Sequence, residues 1–375
     1  MTRRPHDARG FTLIELLIGV ALSLIGLAAV GQIMLTFNQQ RATITHTQST
    51  QNNGVMALYR LEKDIAQAGY GMMNLQNCDR IHYVSGGVGN YESPYGTTDL
   101  PGSSNVALTT LPVRIIDGGV DAGGDLRSDT IEVQYGSSTS GAPAIPITAA
   151  QAGGYSSSYS TASSLGLVSG DLFVANVDNL CTLAAVTNTN PVVTPIEHAV
   201  GDPYNTATAP GGSGWNTVVA GSLVAANPPF IANLGAFVSR RYTVAGSGAT
   251  SALNVAELPA FTANTLVDDI VLVKAQYGLA ADANGQTVTG WASGTTAITN
   301  VNTARVIAVR VGVVARSPIY EKNDVNAPTT LTVLPAISSG GATIGLPVTW
   351  DVPDTHYRYR AFSVIIPLKN VIWTR

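Results

Sequence analysis

Residues 11–35 form an apolar run with one ionisable side chain, Glu15. A helix crosses a bilayer with about 20 residues at ~1.5 Å each, so the run is long enough to span one. An acidic side chain at that depth costs roughly 2.5–3.5 kcal/mol on insertion scales, so its presence points to a function. Arg3, Arg4 and Arg9 precede the run and the next basic residue is Arg41. This asymmetry orients the start of the span to the cytoplasm and the remaining chain to the other side. An ordinary secretory signal shares the basic start and would be removed after the apolar core, near Ala28-Ala29. Its core is usually ~7–15 residues long, shorter than this run.

Past the run, residues 38–53 are polar and free of proline, and they lead into an apolar stripe. Leu58, Leu61, Ile65, Ala68 and Met72 recur at spacings of three and four, one face of an amphipathic helix. Gly69 and Gly71 are expected to end it. The stripe is read as packing on the chain's own head domain, and the all-apolar upper half as packing against other helices. Gly19, Gly26 and Gly31 in that upper half allow either close helix approach or local loosening.

From residue 74 the composition changes. Charged residues make up 12% of the chain against a typical ~25%, and Gly, Ser, Thr, Asn and Ala fill the connecting segments. The expected fold class is α+β: a long N-terminal helix packed on a β-rich, loop-rich head. Ile131, Val133 and Tyr135 alternate with Thr130, Glu132 and Gln134. Ile307, Val309, Val311, Val313 and Ala315 alternate with Arg310 and Arg316, and Phe362, Val364, Ile366 and Leu368 form a further face. Pro367 places that last strand at an edge or a bulge. Residues 268–277 also read as a strand, and segments 136–164 and 205–216 as surface loops or excursions.

Little in the chain points to catalysis. His6, His46, His82, His198 and His356 are scattered, and there is no H-E-x-x-H, G-x-S-x-G, P-loop or dinucleotide fingerprint. No enzymatic activity and no cofactor are expected. Asp117, Asp121, Asp125 and Asp129 recur among glycines, a pattern that could wrap Ca²⁺. A solvated turn before a strand is the ordinary reading, so Asp117, Asp121 and Asp125 stand only as weak metal candidates. Asn284-Gly285 reads as a hairpin turn. An even pair of cysteines, Cys78 and Cys181, in an oxidising compartment favours one disulfide, tying the end of the helix to a strand of the head. Two buried free thiols are the alternative.

The start of the chain resembles the class III signal of type IV prepilins and type II secretion pseudopilins. The likeness rests on a short basic leader ending in Gly10, then Phe11-Thr12-Leu13-Ile14-Glu15 and the apolar stretch. It implies cleavage between Gly10 and Phe11 by prepilin peptidase, N-methylation of Phe11, and retention of the span. The freed amine of Phe11 would then be neutralised by Glu15 of the same or a neighbouring subunit, a device for charge registration. Later strings resemble PilW-type minor pilins. They are Arg60-Leu61-Glu62-Lys63-Asp64 with Cys78 soon after, Ser128-Asp129-Thr130-Ile131, Val267-Asp268-Asp269-Ile270, Val306-Ile307-Ala308-Val309-Arg310-Val311, Tyr357-Arg358-Tyr359-Arg360, and Leu368-Lys369-Asn370.

That resemblance implies a leader over 1–10, a transmembrane and filament-core helix over 11–35, an amphipathic extension over 36–73, and an extracytoplasmic head over 74–375. It implies a minor pilin of the inner membrane, its head in the periplasm and then on the pilus surface. The chain would act in a priming or tip complex with other minor pilins and the major pilin, supporting adhesion or twitching motility. A J-type pseudopilin of type II secretion and a pilin-anchored adhesin are the alternatives. Nucleic acid is not expected as a partner, because the net charge of −4 becomes more negative once the leader is lost.

Overall fold

The computed structural model describes residues 12–72, 80–82, 108–109, 112–139, 141, 143–151, 156–178, 180–205, 218–246, 250–257, 262–282, 284–294, 306–321, 325 and 329–372. Two units divide the chain, residues 1–49 and 50–375. Helix α1 runs Leu13–Gln67. In the first unit none of its residues between Leu13 and Met34 is buried. In the second, Ala57, Leu61, Ile65 and Ala68 are fully buried and Leu58 packs against them, so the expected stripe is the face that meets the head. The helix stops at Gln67, short of residue 73, because Gly69 and Gly71 take positive φ.

The head follows as short strands. β1 is Arg80–His82, β2 Leu108–Thr109, β3 Val113–Ile116, β4 Thr130–Tyr135, β5 Ala144–Pro146, β6 Ser158–Tyr159 and β7 Leu172–Val177. Next come β8 Leu180–Ala185, β9 Ile196–Glu197, the one-turn helix α2 Ala220–Leu223, β10 Phe230–Gly235, β11 Val238–Ala245, β12 Ala252–Glu257 and β13 Asn264–Asp268. The chain ends with β14 Ile270–Ala280, β15 Val288–Ser293, β16 Val306–Arg316, β17 Thr330–Leu334, β18 Ile337–Ser339, β19 Ala342–Gly345, β20 Val348–Asp351, β21 Tyr359–Pro367 and α3 Lys369–Ile372.

Among the described residues these strands build three larger sheets, ordered β2-β1-β8-β7-β10-β5, β13-β12-β11-β4-β3 and β15-β14-β16-β21. The second and third share one core with α1. Ile131, Val133 and Tyr242 from one sheet, and Val273, Val309, Val311 and Ile366 from the other, meet Leu61 and Ile65 there. The first sheet is buried on both faces. Leu172 and Val174 point into one cluster, Phe173, Ala175 and Val177 into another, as period-two alternation requires.

Two expectations need correction, and a third lies almost wholly outside the described residues. Residues 268–277 are not one strand, because Asp269 adopts φ 60° and separates β13 from β14. Segment 136–164 is not only loop, since it carries β5 and β6. Segment 205–216 lies outside the described residues apart from Asn205, which bonds both backbone groups of Ala185. Pro367 ends β21, an edge strand, where its missing N–H costs no ladder bond. Asn284 and Gly285 lie in the β14–β15 hairpin connection, where Gly285 N–H donates to Asp282 O at 3.2 Å.

Strand β16 is buried along its whole length, including Arg310 and Arg316. Its second face is covered by the inserted hairpin β17–β20, which approaches so closely at Gly312 that a Cβ there would lie 2.6 Å from Val333 O. Arg310 holds the cover down. Its Nη1 donates to Pro335 O at 2.8 Å and its Nη2 to Leu346 O at 2.7 Å.

The first sheet also holds a titratable probe of its packing. His198 is 2% exposed, stacked on Tyr159 at 4.9 Å and edge-on to Phe173 at 6.0 Å. Burial lowers its pKa from 6.5 to about 4. Between those values the unfolded chain binds a proton that the folded chain refuses, so stability falls as pH drops through that window and levels off below it. The expected loss is roughly 3 kcal/mol. Denaturation measured from about pH 7 to pH 4 should show this slope, and His198→Phe should flatten it.

Candidate assembly site on the long helix

Of the predicted processing residues, Gly10 and Phe11 lie outside the described residues, and Glu15 sits in the first turn of α1. Its Oε2 accepts from the Thr12 backbone N–H at 3.1 Å and from Thr12 Oγ1 at 3.0 Å. In return the Glu15 N–H donates to Thr12 Oγ1 at 3.4 Å. This is the reciprocal capping box of a Thr-x-x-Glu start, which satisfies two of the donors left open at a helix N-terminus. The Thr-x-x-Glu spacing of Thr12-Leu13-Ile14-Glu15 carries the signal for this cap.

Leu13–Met34 is long and apolar enough to cross a membrane. Its one described hydroxyl bond is internal: Ser23 Oγ donates to Gly19 O at 2.7 Å, so the group carries no unmet polarity into an apolar medium. Gly19, Gly26 and Gly31 leave open notches on the helix surface, with nothing near where a Cβ would stand.

The head end of the helix is anchored by a buried carboxylate. Asp64, 4% exposed, accepts from Arg240 Nη1 at 3.1 and 2.9 Å, from the Tyr135 hydroxyl at 3.2 Å and from the Tyr242 hydroxyl. Arg240 also binds Glu257. Burial, reinforced by Asp64, pushes the Tyr135 phenol up to about 12 and raises Tyr242 further, so both remain donors. At the C-terminus of α1, Asn370 Nδ2 donates to Gln67 O at 3.0 Å and Ala68 O at 3.2 Å, and Gly69 N–H donates to Gln134 O at 2.9 Å. Asn370 thus closes carbonyls that a helix end leaves unpaired. Neither Asp64 nor Asn370 stood out in the sequence as an anchor, because their partners are about 70 to 300 residues away.

Two carboxylates of the aspartate run converge on a cation of the chain itself, Lys274, whose Nζ lies 3.1 Å from Asp117 Oδ1 and 2.5 Å from Asp129 Oδ1. Burial pushes the Asp129 carboxyl up, opposed by Lys274. Asp121 instead accepts from the Gly123 and Asp125 amides at 2.8 and 3.0 Å, shaping its own turn. Among the described residues no three His, Cys, Asp or Glu side chains could hold a metal. Cys181 is fully buried on β8; Cys78 lies outside the described residues.

Comparison with known proteins places this geometry. Residues 5–31 match the prokaryotic N-terminal methylation motif, and residues 241–370 match the family described as type IV pilus-assembly protein W. The chain carries a PilW-family domain behind an N-terminal methylation motif. It is a minor pilin, a structural subunit of type IV pilus assembly anchored in a membrane by α1. The PilW match begins in β11 and covers the whole third sheet, whereas the first sheet lies outside both matches. No curated protein matches the chain. A type IV-like pilin from Thermus thermophilus is similar over 54% of this chain and 85% of its own, at 12% identity and a TM-score of 0.23. A score that low bears no weight on the fold.

The Asp64 anchor gives a direct test of helix docking. Asp64→Ala leaves Arg240 and two buried hydroxyls short of their acceptor and is expected to cost on the order of 3 kcal/mol. Chemical denaturation of the full chain in detergent measures this, and a loss below ~1 kcal/mol would contradict the anchoring role.

Proposed function

We propose that the chain is made as a prepilin, cut after Gly10 by prepilin peptidase, methylated at Phe11, and built into a priming or tip complex with other minor pilins and the major pilin. Residues 1–10 are its leader, 11–35 its membrane and filament-core helix, 36–73 the amphipathic extension and 74–375 the head. The span holds it in the inner membrane with the head in the periplasm, and its work is structural rather than catalytic.

The observation that carries this reading is the state of Glu15. Its carboxylate lies 3.1 Å from Thr12 N, one residue from the bond whose cleavage would free the Phe11 amine. Before cleavage Thr12 satisfies the carboxylate; after it, an ammonium within reach is a stronger partner. A subunit entering a filament therefore gains most in the register that pairs the two charges.

The proposed Cys78–Cys181 disulfide is supported by the parallel pairing of β1 with β8, which sets Ile81 directly opposite Cys181. Cys78 is three residues upstream. The bond would join the segment that follows the helix to the inner part of the first sheet.

Intact-mass and N-terminal peptide analysis of cells with and without prepilin peptidase tests the reading. The expected mature chain starts at N-methylated Phe11 only when the peptidase is present, and unreduced protein is two hydrogens lighter than reduced. A chain left uncut by active peptidase, or one starting beyond Leu27, would overturn it. Glu15→Val should still be inserted and cut, yet enter pili poorly, as immunoblots of sheared pilus fractions would show.

A further inference from the structure

On the outer face of the third sheet, a cavity of about 240 Å³ opens between the aspartate loop and the β17–β20 cover. Asp117, Lys274, Gln276 and Ser293 supply its polar side chains; Val120, Leu126, Leu334 and Val348 are its apolar walls. We infer that it receives a neutral amide side chain, Asn or Gln, from a loop of a neighbouring pilus subunit. The inference rests on the assembly role proposed above and adds the surface and the chemistry of the contact.

The hydrogen-bonding capacity of the lining points to an amide. Arg310 Nε and Nη2 approach Gln276 at 2.8 and 2.5 Å. A guanidinium only donates, so the atom facing it is Oε1, and the NH₂ group of Gln276 is turned away from it. No bond of that NH₂ occurs among the described residues. Asp117 uses Oδ1 for Gly119 N–H at 2.8 Å and for Lys274, and its Oδ2 has no hydrogen bond among them. The lining thus offers donors and an acceptor together. A guest amide presents a carbonyl to the first and an N–H to the second.

Charge excludes ionised guests. Lys274 and Arg310 are matched in number by Asp117 and Asp129, and Lys274 is bonded to both carboxylates and to Arg127 O. A guest carboxylate would face the open oxygen of Asp117, and a guest cation would add to two buried ones. Size and rim then favour a side chain on a protein surface. The volume lies below the usual ~300–1,000 Å³ of small-molecule pockets. Val120 is 59% exposed, and Leu346, two residues from Val348, is 73% exposed, giving an apolar border that a protein partner would cover.

Two measurements test this separately. Full-length protein in detergent micelles, labelled with ¹⁵N-glutamine, is titrated with isobutyramide, isobutyrate or isobutylamine. The Gln276 side-chain signals should shift saturably with the amide alone. Gln276→Glu keeps the acceptors for Arg310 and removes the donors, so binding, followed in uniformly ¹⁵N-labelled protein by the backbone amide signal of Ala275, should weaken about tenfold or more. No saturable shift, or an equal response to isobutyrate, overturns the site whether or not the chain assembles into pili.

A photo-crosslinking residue at Leu346 in piliated cells then tests the partner. The expected adduct is another pilus subunit, identified by mass spectrometry and lost in both Gln276→Glu and the surface variant Val120→Asp. An adduct that survives both variants, or none in piliated cells, overturns the docking claim and leaves the pilin reading standing.

Discussion

The carboxylate of Asp64 sets where the long helix sits on the head. Its partners Tyr135, Arg240 and Tyr242 come from β4 and β11, and all of them converge on one helical position. A slide of one turn would bring Arg60 or Ala68 there, the first repelling Arg240 and the second offering it nothing. An unpaired charge in that interface costs several kcal/mol, more than the apolar stripe would lose by slipping over a similar surface. The stripe supplies attraction and the carboxylate supplies register, a division of labour that apolar contacts alone do not achieve.

A related solution recurs on the outer face of the third sheet, where buried cations lie under loops rather than under a helix. Lys274 gathers the aspartate loop, and Arg310 gathers two carbonyls of the inserted hairpin. Both cations stand on central strands, so the covers are held against the middle of the sheet. Trp291 lies beneath the Arg310 guanidinium at 5.2 Å and shields it from water on that side.

Much of this frame can be read from local pattern. The spacing of Leu61, Ile65 and Ala68 shows a helix face, and the alternation in 130–135, 306–316 and 359–367 shows strands. What alternation does not show is what lies over the second face. Glu132, Gln134, Arg310 and Arg316 look like solvent residues and are buried, because distant loops and strands cover them. The glycine-rich aspartate run likewise reads as a solvated turn, while Asp117 and Asp129 in it pair with a lysine some 150 residues later in the chain. The first sheet was the least legible part. Its strands are as short as two residues and lie in Ser- and Gly-rich sequence, so burial comes from assembly rather than from any one segment.

The route of the chain around that sheet has an evolutionary consequence. β4 leaves the second sheet at Tyr135, β11 re-enters it at Val238, and these two residues face each other in the ladder. The excursion over 136–237 therefore begins and ends at one point of the frame and closes no gap within it. It also lies wholly outside the matched family ranges. A segment attached at adjoining ends can be lengthened, shortened or exchanged while strand order, helix register and the Asp64 contact persist. A chain that keeps the helix and the second and third sheets is thus free to vary this cassette, and with it the face shown to its surroundings.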